Sequence, residues 1–163
     1  MEEWIAIISV ANIFSDSTKM LEAIQKALEK VKASDTNRLA ATSLIPIIVL
    51  KAFACEMYLK SYLSKEGSRS IPKTHNLHEL YRNLDKTTKA KINKLLMTKM
   101  KMININYVQS NIEQDILSVA NAFEEWRYFY ESNYKLNFIF LNTFYDTLID
   151  PLIRPQVNNI TKS

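Results

Sequence analysis

The stretch Leu44-Ile-Pro-Ile-Ile-Val-Leu-Lys-Ala-Phe-Ala-Cys-Glu-Met-Tyr-Leu-Lys-Ser-Tyr-Leu63 decides how this chain is read. It is the longest apolar stretch of the chain and reads as a helix. Leu44 to Leu50 is apolar on every side, which predicts a helix surrounded by others. Lys51, Glu56 and Lys60 interrupt the run, and each is costly in hydrocarbon, so this is a core helix rather than a membrane span. Pro46 lacks a backbone donor and crowds the preceding turn, which predicts a kink or break. Glu56 and Lys60 stand four apart with the acid first, the favourable order for a helix-stabilising pair. Cys55 is the sole cysteine, which excludes an intrachain disulfide and a cysteine zinc site; core packing is its expected role.

Composition agrees with an all-α reading. The 163 residues are 47% hydrophobic and 23% charged with one glycine, Gly67, whereas a mainly β chain of this size carries about ten glycines for its turns. Disorder and fibrous repeats are excluded, and a single helical domain over residues 1–163 is expected, with no internal repeat or linker. The start, Met1-Glu2-Glu3, is acidic where a secretory signal is basic, so a cytoplasmic location is expected. The net charge of +4 is uneven: residues 65–101 carry ten Lys and Arg against three acids, a local +7. Lys91, Lys94 and Lys101 fall on one side of their helix, where they form either a phosphate-attracting patch or an ordinary solvated face.

Working outward from the central stretch, Glu2 to Phe14 reads as a helix, with Ser15-Asp16-Ser17 capping a second that runs to Val31. That second helix places Met20, Leu21, Ile24, Ala27, Leu28 and Val31 at helical spacing as its core face. Ser34 or Asp35 caps the third segment, which contains the central stretch. Ser64 to Thr74 is a loop. Asn76 followed by Glu79 has the form of a capping box for a short helix from Leu77 to Leu84. Further helices are predicted over Thr87 to Met102, Glu113 to Tyr134 and Leu136 to Ile149, with an Asn-rich loop from Asn104 to Asn111.

Chemistry is sparse. On the predicted Glu113 to Tyr134 helix, Arg127 lies among Ile116, Ala120, Phe123, Tyr130 and Tyr134 on one face. It serves either in an ion pair with Glu131 or Glu124, or as a groove residue whose planar fork holds a phosphate or carboxylate. His75 and His78 are two ligands at most, and two do not make a metal site, so no metal and no cofactor are expected. Arg69 and His75 have a spacing that would suit phosphate chemistry. One glycine allows no phosphate-cradling loop. The aromatic run Trp126, Tyr128, Phe129 and Tyr130 reads as core and dimer surface before it reads as a base-stacking platform.

Three stretches together resemble a known family: Ala52-Phe-Ala-Cys-Glu-Met-Tyr-Leu-Lys60, Lys73-Thr-His-Asn-Leu-His-Glu-Leu80 and Phe123-Glu-Glu-Trp-Arg-Tyr-Phe-Tyr-Glu131. In order and spacing they are similar to the HEPN superfamily of prokaryotic helical domains, over about residues 40–135. The resemblance implies an antiparallel bundle of about five to seven helices and a homodimer. Many members are RNA-cleaving toxins or defence proteins; others pair with a nucleotidyltransferase or bind nucleotides. In the ribonuclease members an arginine is followed after four to six residues by a histidine. After Arg127 the matching positions hold Ser132, Asn133 and Tyr134. Asn133 can bind a phosphate oxygen but does not act as acid or base near neutral pH.

The expectation is therefore a HEPN-like protein with a binding or assembly role in a defence, toxin-antitoxin or nucleotide-related system. Arg127, Glu131, Asn133, Glu56 and Lys60 would shape its groove, and RNA, a nucleotide or a partner protein would be bound away from membranes. The alternatives are a metal-independent ribonuclease using Arg127 or the Arg69 and His75 pair, and a protein-interaction scaffold.

Overall fold

A computed structural model describes residues 3–30, 34–67, 71–127 and 137–154, with backbone alone at 29, 34–43 and 126–127. Among the described residues there are seven helices and no strand. They are α1 (Glu3–Glu29), α2 (Ser34–Lys65), α3 (Leu77–Asn83), α4 (Lys86–Ile103), α5 (Asn111–Ser118), α6 (Ala122–Arg127) and α7 (Phe138–Leu148). The all-α expectation holds, and no described helix is long and apolar enough to cross a membrane.

The two longest helices form a hairpin along which the rest assemble: α1 lies along α2, and α2 also meets α3, α6 and α7. Ile8 and Ala11 of α1 meet Ile48, Ala52, Cys55, Tyr58 and Leu59 of α2 in the same core, with Phe140, Leu141 and Phe144 of α7 closing it. Cys55 is buried there as a small apolar group, and burial pushes its thiol pKa far up. Buried phenols are satisfied across the bundle. Tyr58 donates to Asn12 Oδ1 at 2.8 Å and Tyr62 to the Leu148 carbonyl at 2.7 Å.

Several sequence expectations are corrected. Ser15-Asp16-Ser17 does not start a helix, because α1 runs through it. The Ser15 hydroxyl finds another partner, Tyr145 Oη at 2.7 Å, and just after the motif Thr18 Oγ1 donates back to the Phe14 carbonyl at 2.8 Å, as within a continuing helix. Pro46 does not break α2 either. Its ring is exposed, so the carbonyl left without a partner lies toward the solvent side, where water can satisfy it. The better-covered half of α2 is accordingly Lys51–Leu63, whereas Leu44, Ile45, Val49 and Leu50 are only half-buried.

The predicted Glu113 to Tyr134 helix is interrupted. After α5 the chain turns at Val119–Asn121, with Val119 N–H donating to Ile116 O at 3.2 Å and Ala120 N–H to Leu117 O at 3.1 Å in tightened turns. The break frees the Ala120 carbonyl to accept the Leu77 N–H at 2.8 Å, and Asn121 Oδ1 accepts from Asn76 Nδ2 at 2.8 Å. Tertiary bonds to the start of α3 thus replace helical ones, and the single wheel joining Ile116 to Arg127 no longer applies. Residues 128–136 lie outside the described residues.

One face of α1 also differs from expectation. Leu21 and Leu28 are half-buried, but Met20, Ile24 and Ala27, expected in the core, are exposed, and Val31 lies outside the described residues.

Candidate functional site

Glu56 is 1% exposed, and both of its carboxylate oxygens are engaged. On its own helix, Lys60 Nζ donates to Oε1 at 2.7 Å, the pair that the four-residue spacing predicts. Across from it, His75 Nδ1 lies 2.9 Å from Oε2. A carboxylate only accepts, so Nδ1 carries the hydrogen and donates, and Nε2 is the nitrogen left for a ligand. The His75 side chain is 47% exposed, so the cluster joins a buried anion to an accessible imidazole.

Local structure holds the imidazole in place. Residues 71–76 are a strap without regular secondary structure that leads into α3. The strap ends at Asn76, whose Oδ1 accepts the Glu79 N–H at 2.9 Å and caps α3. The reciprocal half of the capping box is absent: the Asn76 N–H donates instead to Thr74 Oγ1 at 3.1 Å. On its other side the His75 ring packs on Phe123 of α6, 5.3 Å between centroids, and Phe123 packs on Phe53 at 5.0 Å. Phe14 meets Phe53 edge-on at 4.4 Å, extending the aromatic row to α1. Nearby on α6, desolvation raises the Glu125 carboxyl pKa above the usual carboxylate range.

The structure therefore brings Glu56, Lys60 and His75 together, which spacing alone did not. The available signal was Glu56 itself: a carboxylate inside an apolar helix with one lysine partner leaves an oxygen that needs a donor. His75 and His78 do not converge, because His78 Nε2 lies 3.4 Å from Glu113 Oε1 while His75 turns to Glu56. Among the described residues no cluster of three or more His, Cys, Asp or Glu side chains is placed to hold a metal ion. Arg127 is the last residue of α6, one turn beyond Phe123; its side chain, and all of Arg69, Glu131 and Asn133, lie outside the described residues.

Lys91, Lys94 and Lys101 are all exposed on α4. Lys91 and Lys94 line two adjoining shallow depressions, one with Lys86, Thr87 and Ala90, the other, of about 240 Å³, with Leu95, Thr98, Leu152 and Ile153. Sequence reasoning did not anticipate a second polar cluster in the core. There the 4% exposed Lys51 pairs with Glu22, donates to Asn142 Oδ1 at 2.6 Å and lies 5.2 Å from the Tyr145 ring centroid.

The chain is thus an all-helical bundle whose longest helix holds a buried carboxylate between a lysine and a strap histidine. The sequence model of the HEPN domain matches residues 20–116, more than half of the chain, and the protein belongs to that family. The match runs from the second half of α1 into α5 and includes Glu56, Lys60 and His75; the Phe123 to Glu131 stretch lies beyond it. Neither the curated proteins nor the solved structures give a match to this chain.

Proposed function

We propose that the chain is a single-domain, cytoplasmic HEPN binding or assembly module, working as a homodimer in a defence, toxin-antitoxin or nucleotide-related system. Its ligand is phosphate-bearing, RNA or a nucleotide, and the groove lies where α2, the strap and α6 meet. The observation that carries this reading is His75, oriented through Nδ1 by a buried carboxylate and accessible on its other side. In that setting protonation of Nε2 gives an oriented donor to a phosphate oxygen, with Glu56 holding the opposite edge of the ring. Arg127, one turn past the phenylalanine under His75, is the second anion-binding group of the groove, with Glu131 and Asn133 following it in sequence. The exposed lysines of α4 supply longer-range attraction.

The ribonuclease reading is favoured by the same imidazole, since a histidine fixed by a carboxylate is also a general base. Metal-independent cleavage needs an acid for the leaving oxygen as well as a base. Among the described residues His75 is bonded to Glu56 alone, and for that reason binding is preferred over catalysis. Arg69 and Arg127 are the cationic partners that a cleaving site would use.

One experiment separates the two. Purified protein is incubated with labelled RNA across neutral and mildly acidic pH, alongside His75→Ala and Arg127→Ala. Retention without cleavage, lost in both variants while the helical signal is kept, supports the binding module. Cleavage abolished by His75→Ala establishes the ribonuclease. Unchanged retention in both variants overturns the groove.

A further inference from the structure

Helix α1 has two apolar faces, and only one is used within the described chain. The inner face, Ile8, Ala11, Phe14, Thr18 and Leu21, packs toward α2 and α7. About a third of a turn around the helix from it, Val10, Ile13, Ser17, Met20, Ile24 and Ala27 are all exposed, with Ile13 at 63% and Met20 at 68%. Their spacing alternates three and four residues without a slip, and the series begins one step earlier at the exposed Ala6. A strict three-four alternation is the a/d pattern by which one helix seats its side chains between those of another. An ordinary solvated face has no reason to keep it through three heptads.

We infer that this stripe is the surface on which a second copy of the chain docks, α1 against α1 and antiparallel. The inference specifies the contact for the homodimer proposed above and rests on that reading. Three features favour a second copy in this orientation. The stripe is self-complementary: read backwards, the three-four alternation is the same stripe displaced by one layer, so a positions meet d positions of the other copy. The charges complement each other as well. The part of α1 up to Asp16 carries Glu3 and Asp16 and no lysine, while the rest carries Lys19, Lys26 and Lys30 against Glu22 and Glu29, with Glu22 turned to Lys51, so antiparallel pairing sets the net acidic part beside the net basic part. The helix dipoles are likewise opposed.

Size is consistent with a reversible dimer. From Ala6 to Ala27 the stripe is about 32 Å long at 1.5 Å per residue. Two such strips bury on the order of 1,000 Å² in total once side chains interdigitate, near the lower edge of specific interfaces. The association is therefore concentration-dependent. The central Ser17 places a small polar group at an a position, a feature that fixes register at some cost in strength.

The test is sedimentation of the full chain over a wide concentration range, together with cysteine cross-linking. Ser17→Cys and Ala6→Cys each add one exposed thiol, while native Cys55 is 0% exposed. In the antiparallel pair the two copies of position 17 are neighbours and those of position 6 are more than about 25 Å apart. A short bismaleimide should therefore link Ser17→Cys and leave Ala6→Cys unlinked. The double variant Ile13→Glu/Met20→Glu, at positions already exposed, should keep its helical signal and sediment as a monomer where the parent chain is dimeric. Linking at both cysteine positions would overturn the antiparallel arrangement. A dimer indifferent to the glutamates and unlinked at position 17 would overturn the α1 surface while leaving the homodimer standing. A parent chain that is monomeric at every concentration would overturn both.

Discussion

His75 Nδ1 meets Glu56 Oε2 at 2.9 Å across 19 residues of sequence, so one buried carboxylate of α2 fixes the orientation of the strap that leads into α3. Removing either end has different consequences. Glu56→Ala leaves the Lys60 ammonium, only 16% exposed, without its acid and should cost about 3 kcal/mol. At this chain length that lowers Tm by about 6–12 °C. His75→Ala removes a half-exposed group and should lower Tm by far less, while abolishing anion retention. Thermal melts and binding on the same preparations check the contrast; equal Tm losses would argue for a purely structural histidine.

The cap of α3 carries a second load. Asn76→Ala removes both the acceptor for the Glu79 N–H and the donor to Asn121, and should cost about 1 kcal/mol or somewhat more. Asn76→Asp keeps the acceptor and loses the donor, so its midpoint in urea should fall between those of the parent chain and the alanine variant.

Acid sensitivity should include a contribution from Asp85. The Thr88 N–H donates to its carboxylate at 2.7 Å, capping α4 and holding the Asp85 pKa below the usual range. A pKa lower in the folded chain means the charged cap favours folding above the unfolded value, and that contribution is lost as pH falls through the folded one. Asp85→Asn keeps the capping oxygen without the titration. Its unfolding midpoint should vary less between pH 5 and pH 2 than that of the parent; an identical pH dependence would remove Asp85 from the acid response.

The Lys51 cluster makes an ordering testable. Lys51→Ala deletes both the charge and a buried four-carbon stem and should cost about 3–5 kcal/mol. Lys51→Met keeps most of the stem, and the Glu22 left behind is 33% exposed and can be hydrated. Chemical denaturation should rank the methionine variant clearly above the alanine variant.

Gly67 ends the turn after α2 at φ 77°, the one positive φ among the described residues, and nothing lies within 4 Å of where a Cβ would stand. Gly67→Ala should therefore cost about 1–2 kcal/mol from the backbone alone. Gly67→Asn, which tolerates this conformation better, should cost less, and denaturation midpoints give the comparison.

Helices were legible wherever one helix period dominated its residues, as in α3, α4 and α7, because apolar spacing and caps are local. The misreadings fall where distant partners outbid local signals. Ser15 looks like a cap residue until Tyr145 takes its hydroxyl. The wheel through Arg127 fails because the Leu77 amide and Asn76 hold the chain open at Ala120 and Asn121. For the site, the Glu56 and Lys60 pair follows from spacing. The partnership of His75 with Glu56 depends on how the strap returns to α2, which no pattern within the strap encodes. Met20 and Ile24 share helical spacing with Leu21 and Leu28, but spacing cannot say which side of an apolar stripe the core covers, and in α1 both are exposed.

The strap from Ile71 to Asn76 is fastened to α2 by His75 and to the turn before α6 by the Leu77 amide and the Asn76 side chain. If His75 captures an anion as proposed, that capture and the lifting of the strap draw on the same opening equilibrium. A ligand that engages only the fastened form lengthens the closed lifetime in proportion to its saturation, and the Leu77 amide becomes a reporter of occupancy. Slower hydrogen exchange at that one position would register binding from inside the bundle, where the ligand never reaches.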